Sequence, residues 1–147
     1  MLDEILNDPR VTWIEDVLRF GDTDAIGHIN NATFSVFCES GRVSFFNAKL
    51  IPVRQEGAYF VIARLTINFK AELHYPGRVR TGTWVTRMGS SSITLEQVIL
   101  CEDRLAATAE SVCVRMEEAT RRPRAYDDDT RRVAARFTRP SFEEAKR

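Results

Sequence analysis

Apolar positions change period several times along the chain, and each change marks an element. Over VTWIEDVLRF, Val11, Trp13, Val17 and Phe20 give an imperfect alternation rich in the β-branched and aromatic residues that fit a pleated surface, which predicts a first strand. Two glycines and two aspartates then fall within Gly21 to His28 and break any regular element. Asn30 or Asn31 can cap a helix, because an Asn side chain accepts from a free N–H of the first turn. No Gly or Pro follows until Gly41, and the pattern predicts a helix to about Leu50. Such a helix, about 20 residues or ~30 Å long, carries Phe34, Val36, Phe37, Cys38, Val43, Phe45 and Phe46. That is too many apolar groups for one narrow stripe, so the helix needs covering on several sides.

The remainder is mostly of period two. Leu65, Ile67 and Phe69 alternate with Arg64, Thr66, Asn68 and Lys70, a strand over Tyr59 to Leu73 with one solvated face. His74-Tyr75-Pro76-Gly77 reads as a turn, Arg78 to Met88 as a strand, Gly89-Ser90-Ser91 as a second turn, and Ile93 to Cys101 and Leu105 to Met116 as two more strands. Four consecutive strands with short connections predict an antiparallel meander, and a long apolar helix before it makes an α+β arrangement in which a curved sheet wraps the helix. After Met116 the chain turns charged. Arg121, Arg122 and Arg124 around Pro123 read as a solvated loop in preference to a phosphate patch, Asp127 to Phe137 as a short Asp-capped helix, and the last ten residues as a fraying end. With no internal repeat, residues 1–147 are expected to form one domain with its core in about 11–125.

Composition narrows the functional classes. With 44% hydrophobic and 29% charged residues and no run near the roughly 18 apolar residues of a membrane helix, the chain reads as soluble. Lys and Arg number 21 and Asp and Glu also 21, so no global field attracts nucleic acid or an anionic bilayer, and neither is expected as a partner. The opening MLDEILNDPR lacks a basic stretch followed by an apolar one, which makes the cytoplasm the expected compartment. Cys38, Cys101 and Cys113 have no C-x-x-C partner; they read as reduced core thiols, neither a disulfide framework nor a zinc site.

The candidate chemistry gathers in the loop before the helix, where Asp22, Asp24, His28, Asn30 and Asn31 fall within ten residues. Free N–H groups at a helix start, reinforced by the helix dipole, can polarise a carbonyl oxygen, and a carboxylate beside them can act as base or nucleophile. Residue types alone also allow a plain turn with a capping Asp and a hydrogen-bonded His.

Phe20-Gly21-Asp22-Thr23-Asp24, then Gly27-His28-Ile29-Asn30-Asn31-Ala32, Phe34, Glu39 and Arg42 resemble the opening of the 4-hydroxybenzoyl-CoA thioesterase-like family of hot-dog proteins. The resemblance continues through Phe69-Lys70, His74-Tyr75-Pro76-Gly77 and Ser90-Ser91-Ser92, covering about residues 11 to 125. It implies a central helix held in a curved antiparallel sheet, and a homodimer, with a homotetramer as the larger alternative, formed by pairing sheets edge to edge with active sites at the interface. It also places the catalytic carboxylate on Asp24, the carbonyl-polarising N–H on Asn31, and a catalytic or water-orienting group on His28.

A thioester carbon is already electrophilic, so an oxyanion donor and an activated nucleophile suffice without a metal or organic cofactor. The leading expectation is hydrolysis of an acyl-CoA, with an apolar acyl pocket lined by Phe34, Phe37 and Phe60 and with Arg87, Ser91 and Ser92 toward the pantetheine or phosphates. Two departures from the family bear on the carrier. The turn that is basic in the 4-hydroxybenzoyl-CoA enzyme is here Met88-Gly89-Ser90-Ser91-Ser92, and the Asn two residues beyond the catalytic Asp in the plant acyl carrier protein enzymes is here Ile26. Acyl carrier protein thioesterase and non-hydrolytic acyl-thioester binder stand as alternatives, and the G-D-x-N-P-x-H pattern of hot-dog hydratases is not matched. Glu39 and Arg42, three residues apart, are expected to form an ion pair that fixes the helix.

Overall fold

The computed structural model describes residues 2–50 and 56–142. A short helix α1 (Leu2–Leu6) leads into β1 (Thr12–Leu18) and a 3-10 turn over Phe20–Asp22. The long helix α2 (Asn31–Phe45) follows and ends in a π-helical turn, Phe46–Leu50, so the helical run expected to Leu50 is present with its last turn widened. Strands β2 (Ala58–Phe69), β3 (Gly77–Met88), β4 (Ser92–Cys101) and β5 (Arg104–Glu117) precede α3 (Asp128–Ala135), whose N-cap Asp127 accepts from the Thr130 N–H at 2.7 Å as the Asp-cap reading requires. None of the described helices is long and apolar enough to cross a membrane.

The five strands form one curved antiparallel sheet in the order β1-β3-β4-β5-β2, which with the long helix is the α+β, hot-dog arrangement. β3, β4 and β5 are the expected meander, but β2 is not beside β3. It lies at the far edge on β5, with Ala58 opposite Glu117 and Phe69 opposite Ala107. The alternation read to Leu73 outlasts the pairing, which stops at Phe69; residues 70–76 then cross the end of the sheet from one edge to β3. On the way Lys70 and Ala71 donate to the Ala106 carbonyl at 2.8 and 3.1 Å, and Leu73 drops into the core.

Helix α2 lies on β1, β3 and β4. Its N-terminal half packs Phe34, Phe37 and Cys38 against Leu18, Ile29, Leu73, Val79 and Ile99, and its C-terminal end packs Phe45, Phe46 and Leu50 against Val85, Ile93, Leu95, Cys113 and Tyr126. Between them Gly41 brings the helix backbone onto the sheet, where Gln97 Nε2 donates to the Cys38 carbonyl and to Thr83 Oγ1, both at 2.9 Å. The outer faces of β3 and β4 are covered too. Ile5, Val11, Trp84, Val98, Leu100 and Phe142 form a third cluster, which explains why these strands are buried on both faces.

Two further expectations are corrected here. The C-terminal segment does not fray over 138–142: Thr138 bridges Val85, the Arg139 guanidinium lies 4.9 Å from the Trp84 ring centre, and Phe142 is buried; residues 143–147 lie outside the described residues. Among the described residues Glu39 and Arg42 form no ion pair, because Glu39 faces outward with Val36 and Val43 while the Arg42 side chain is buried. Arg124 is held by Glu117 Oε2 and the Glu56 carbonyl, each at 2.9 Å, as a loop anchor would be. Cys38 and Cys113 are buried free thiols, and burial pushes Cys38 up to about 11, so both are inert.

Candidate active site

The loop between β1 and α2 is closed by its own backbone. The Asp24 N–H donates to the His28 carbonyl at 2.8 Å, Gly27 N–H donates to the Asp24 carbonyl at 3.1 Å, and Gly27 sits at φ +81°, where only a residue without Cβ is unstrained. Asp24 Oδ1 accepts from the N–H groups of Ile26 and His28 at 3.0 and 3.1 Å, which fixes the carboxylate in its rotamer. Its other oxygen accepts no hydrogen bond among the described residues. Asp22 turns the other way: its Oδ2 accepts from Arg19 N–H at 3.0 Å, and its carbonyl accepts from Asn30 N–H at 2.8 Å. The two aspartates of the motif therefore divide, one shaping the turn and one facing the cleft.

Of the two candidate caps, Asn30 is the one used, its Oδ1 accepting from Ala32 N–H at 2.9 Å. Asn31 is the first helical residue, so its N–H has no intrahelical acceptor. Asp24, Ile26, His28, Ile29, Asn31 and Phe34 form one wall of a cleft of about 360 Å³, and Phe69, Lys70, Ala71, Glu72 and Leu73 form the other. The walls are tied by the Ile29 N–H, which donates to the Leu73 carbonyl at 2.8 Å. Phe34 meets Phe69 edge-on with ring centres 5.1 Å apart, giving the cleft an apolar floor. At its rim Glu72 Oε2 lies 3.3 Å from His28 Nε2 and 3.6 Å from His74 Nε2. A groove at Ala58, Tyr59, Glu118 and Arg121 is larger, about 460 Å³, but holds neither a histidine nor a helix start.

Asp24, His28, Asn31 and Phe34 thus converge, and Phe37 lies buried behind Phe34 with ring centres 6.2 Å apart. Phe60, Arg87, Ser91 and Ser92 do not reach this cleft within the chain. Phe60 stacks on Phe46 at 4.3 Å in the opposite half of the core, and Arg87, Ser91 and Ser92 lie at the other end of β3. The serine turn is built as a hairpin, Gly89 N–H donating to Ser92 O at 2.9 Å, with the Ser91 carbonyl taken by Arg115 N–H. From the sequence Lys70 and His74 enter only through the family resemblance and the turn at 74–77, with no site role, and Glu72 is not singled out. The pair of polar residues flanking Leu73 is easily read as the end of a strand.

A helix N-terminus facing an anchored carboxylate, set in a sheet wrapped around that helix, defines the class, and the chain belongs to the thioesterase-like superfamily, whose family model matches residues 18–137. Its solved relatives include a predicted thioesterase from Bacillus stearothermophilus, 27% identical with a TM-score of 0.81 over 89% of this chain and 98% of that one. They also include a Thermus thermophilus thioesterase complexed with coenzyme A and Zn, 27% identical with a TM-score of 0.74 over 83% of this chain and 95% of that one. The uncharacterized protein YsmA of Bacillus subtilis is 28% identical over 78 residues, so the chain spans about half the length, 53%, of that curated relative.

Proposed function

We propose that the chain hydrolyses an acyl-CoA thioester to a free carboxylic acid and coenzyme A. The observation that carries this reading is the Asp24 carboxylate, anchored through one oxygen by two backbone N–H groups while the other is left open in a cleft that the start of α2 also lines. The thioester carbonyl sits against the Asn31 N–H, which stabilises the oxyanion as the tetrahedral centre forms. Asp24 either takes a proton from attacking water or attacks the carbonyl carbon itself. In both routes the C–S bond breaks, the thiolate leaves and gains a proton, and one water is consumed. His28, on the same loop, orients that water. The acyl group lies against Phe34 and Phe69, the apolar part of the cleft. Membership of the superfamily and similarity to a thioesterase complexed with coenzyme A support the choice of carrier.

The active unit is a homodimer. Among the described residues β2 is an edge strand with unpaired backbone groups, and Val61, Ile62 and Phe69 on it are 39%, 47% and 50% exposed. It starts beside the end of β5 near the serine turn and finishes at the cleft. Antiparallel pairing of two such edges would set the serine turn of one copy beside the cleft of the other. Arg87, Ser91 and Ser92 then serve the pantetheine or phosphates, and Phe60 the acyl pocket, across the interface.

The test is release of free thiol from short, long, branched and aromatic acyl-CoA esters. With Asp24→Asn, kcat/KM should fall on the order of 10²-fold, about 2.7 kcal/mol, for whichever ester turns over. Thermal stabilisation by these esters without turnover would replace the reading with a binding protein, and an unchanged variant would remove Asp24 from the mechanism.

A further inference from the structure

The chain has two histidines, and the fold brings both to one place. His28 precedes Ile29, and Glu72 and His74 flank Leu73; Ile29 and Leu73 are only 2% and 1% exposed and are joined backbone to backbone. Leu73 is buried while Glu72 and His74 on either side of it are exposed, so both flanking side chains face outward together. The Ile29–Leu73 bond sets His28 against them. The backbone, and not chance meeting of long side chains, thus gathers three donors.

Their ligand atoms lie within 4.8 Å of one another. Two donors bound at about 2.0–2.1 Å on a tetrahedral ion stand roughly 3.3 Å apart. The His28–Glu72 separation of 3.3 Å equals that spacing and the His74–Glu72 separation of 3.6 Å nearly does; only the two imidazoles must swing closer. Two imidazole nitrogens and one carboxylate oxygen suit zinc and its borderline neighbours. Mg²⁺ and Ca²⁺ prefer six or more oxygens.

We propose that His28 Nε2, Glu72 Oε2 and His74 Nε2 form a binding site for a zinc-class divalent cation at the rim of the cleft, with a fourth position open to solvent. The site shares His28 with the hydrolysis proposed above, which calls for no ion, and its test does not depend on turnover.

Calorimetric titration of the untagged full chain with ZnCl₂ alone should show one ion bound per chain, and titration with MgCl₂ should show none. Losing a partner that merely orients a ligand already costs about 10–100-fold in affinity, so His74→Ala and Glu72→Gln should each weaken zinc binding by at least that much. His74 and Glu72 are exposed, so both variants should keep the wild-type circular dichroism spectrum and zinc-free Tm, which separates lost binding from lost folding. Absence of saturable zinc binding overturns the proposal. So does undiminished binding by His74→Ala, which would place the ion elsewhere.

Discussion

At Gly41 one absent methyl group sets the distance between the helix and the sheet. A Cβ there would stand 2.5 Å from Gln97 Nε2, 2.8 Å from Thr81 Cγ2 and 2.9 Å from Thr83 Oγ1. Alanine gains about 1 kcal/mol of helix propensity over glycine. Against that stand overpacking, at about 1–3 kcal/mol, and the Gln97 bond to the Cys38 carbonyl, which such a Cβ would displace. The two threonines sit on a central strand and cannot retreat, so Gly41→Ala should lower stability by about 1–2 kcal/mol in a denaturant titration, with the slope unchanged. In the sequence Gly41 was only an interruption in a helical pattern. Asp24, His28 and Asn31 were legible because one short loop holds them all, whereas Glu72 and His74 meet His28 only through a backbone bond between segments more than forty residues apart.

Caps and periodicity revealed the elements; their long-range anchoring stayed hidden. Both α2 and α3 begin where a side-chain acceptor predicts, and the π-helical turn merely widens the end of α2. The end of β2 was misread because apolar and polar residues go on alternating after Phe69 although the pairing has stopped. The C-terminal segment was misread because what fixes it is distant in sequence: Asp8 Oδ2 accepts from Arg139 Nε at 3.0 Å and pairs with Arg10 at 2.8 Å. Hydrogen bonding to Arg10, aided by the Arg139 guanidinium, holds the Asp8 carboxyl down at about 2 from its ordinary 3.8. A depressed carboxylate stabilises the fold above its unfolded value and loses that contribution as pH falls through its folded value. Asp8→Asn should therefore cost about 1 kcal/mol at pH 7, allowing for solvent screening, read as a Tm lower by a few degrees. The gap to wild type should close between pH 4 and pH 2.

For the molecule as a whole, the α+β class and the wrapped helix were readable from an apolar helix followed by amphipathic strands. The strand order was not, because nothing in the alternation of β2 says which neighbour it will take. Among the described residues, its place at the edge leaves a row of unpaired backbone groups with apolar side chains beside them. Size-exclusion chromatography with light scattering should give twice the chain mass at micromolar concentration, and Ile62→Lys should shift the population toward monomer while keeping the circular dichroism spectrum. A wild-type chain that runs as a monomer would remove Phe60, Arg87, Ser91 and Ser92 from the substrate site, since within one chain they lie away from the cleft.

The cleft is also assembled from two independently written stretches of sequence. One, from Asp22 to Asn31, is closed by its own hydrogen bonds and carries the carboxylate and the helix start. The other, Phe69 to Leu73, gives shape and charge to the opposite wall and touches the first through the Ile29–Leu73 backbone bond, which survives any substitution at 29 that keeps the N–H. Under the proposed hydrolysis, reactivity and selectivity are thereby inherited on separate modules. Replacing Phe69, Lys70 or Ala71 can re-dimension the pocket for a new acyl group while the reactive loop stays as it is, so a descendant of this chain can change diet without relearning its chemistry.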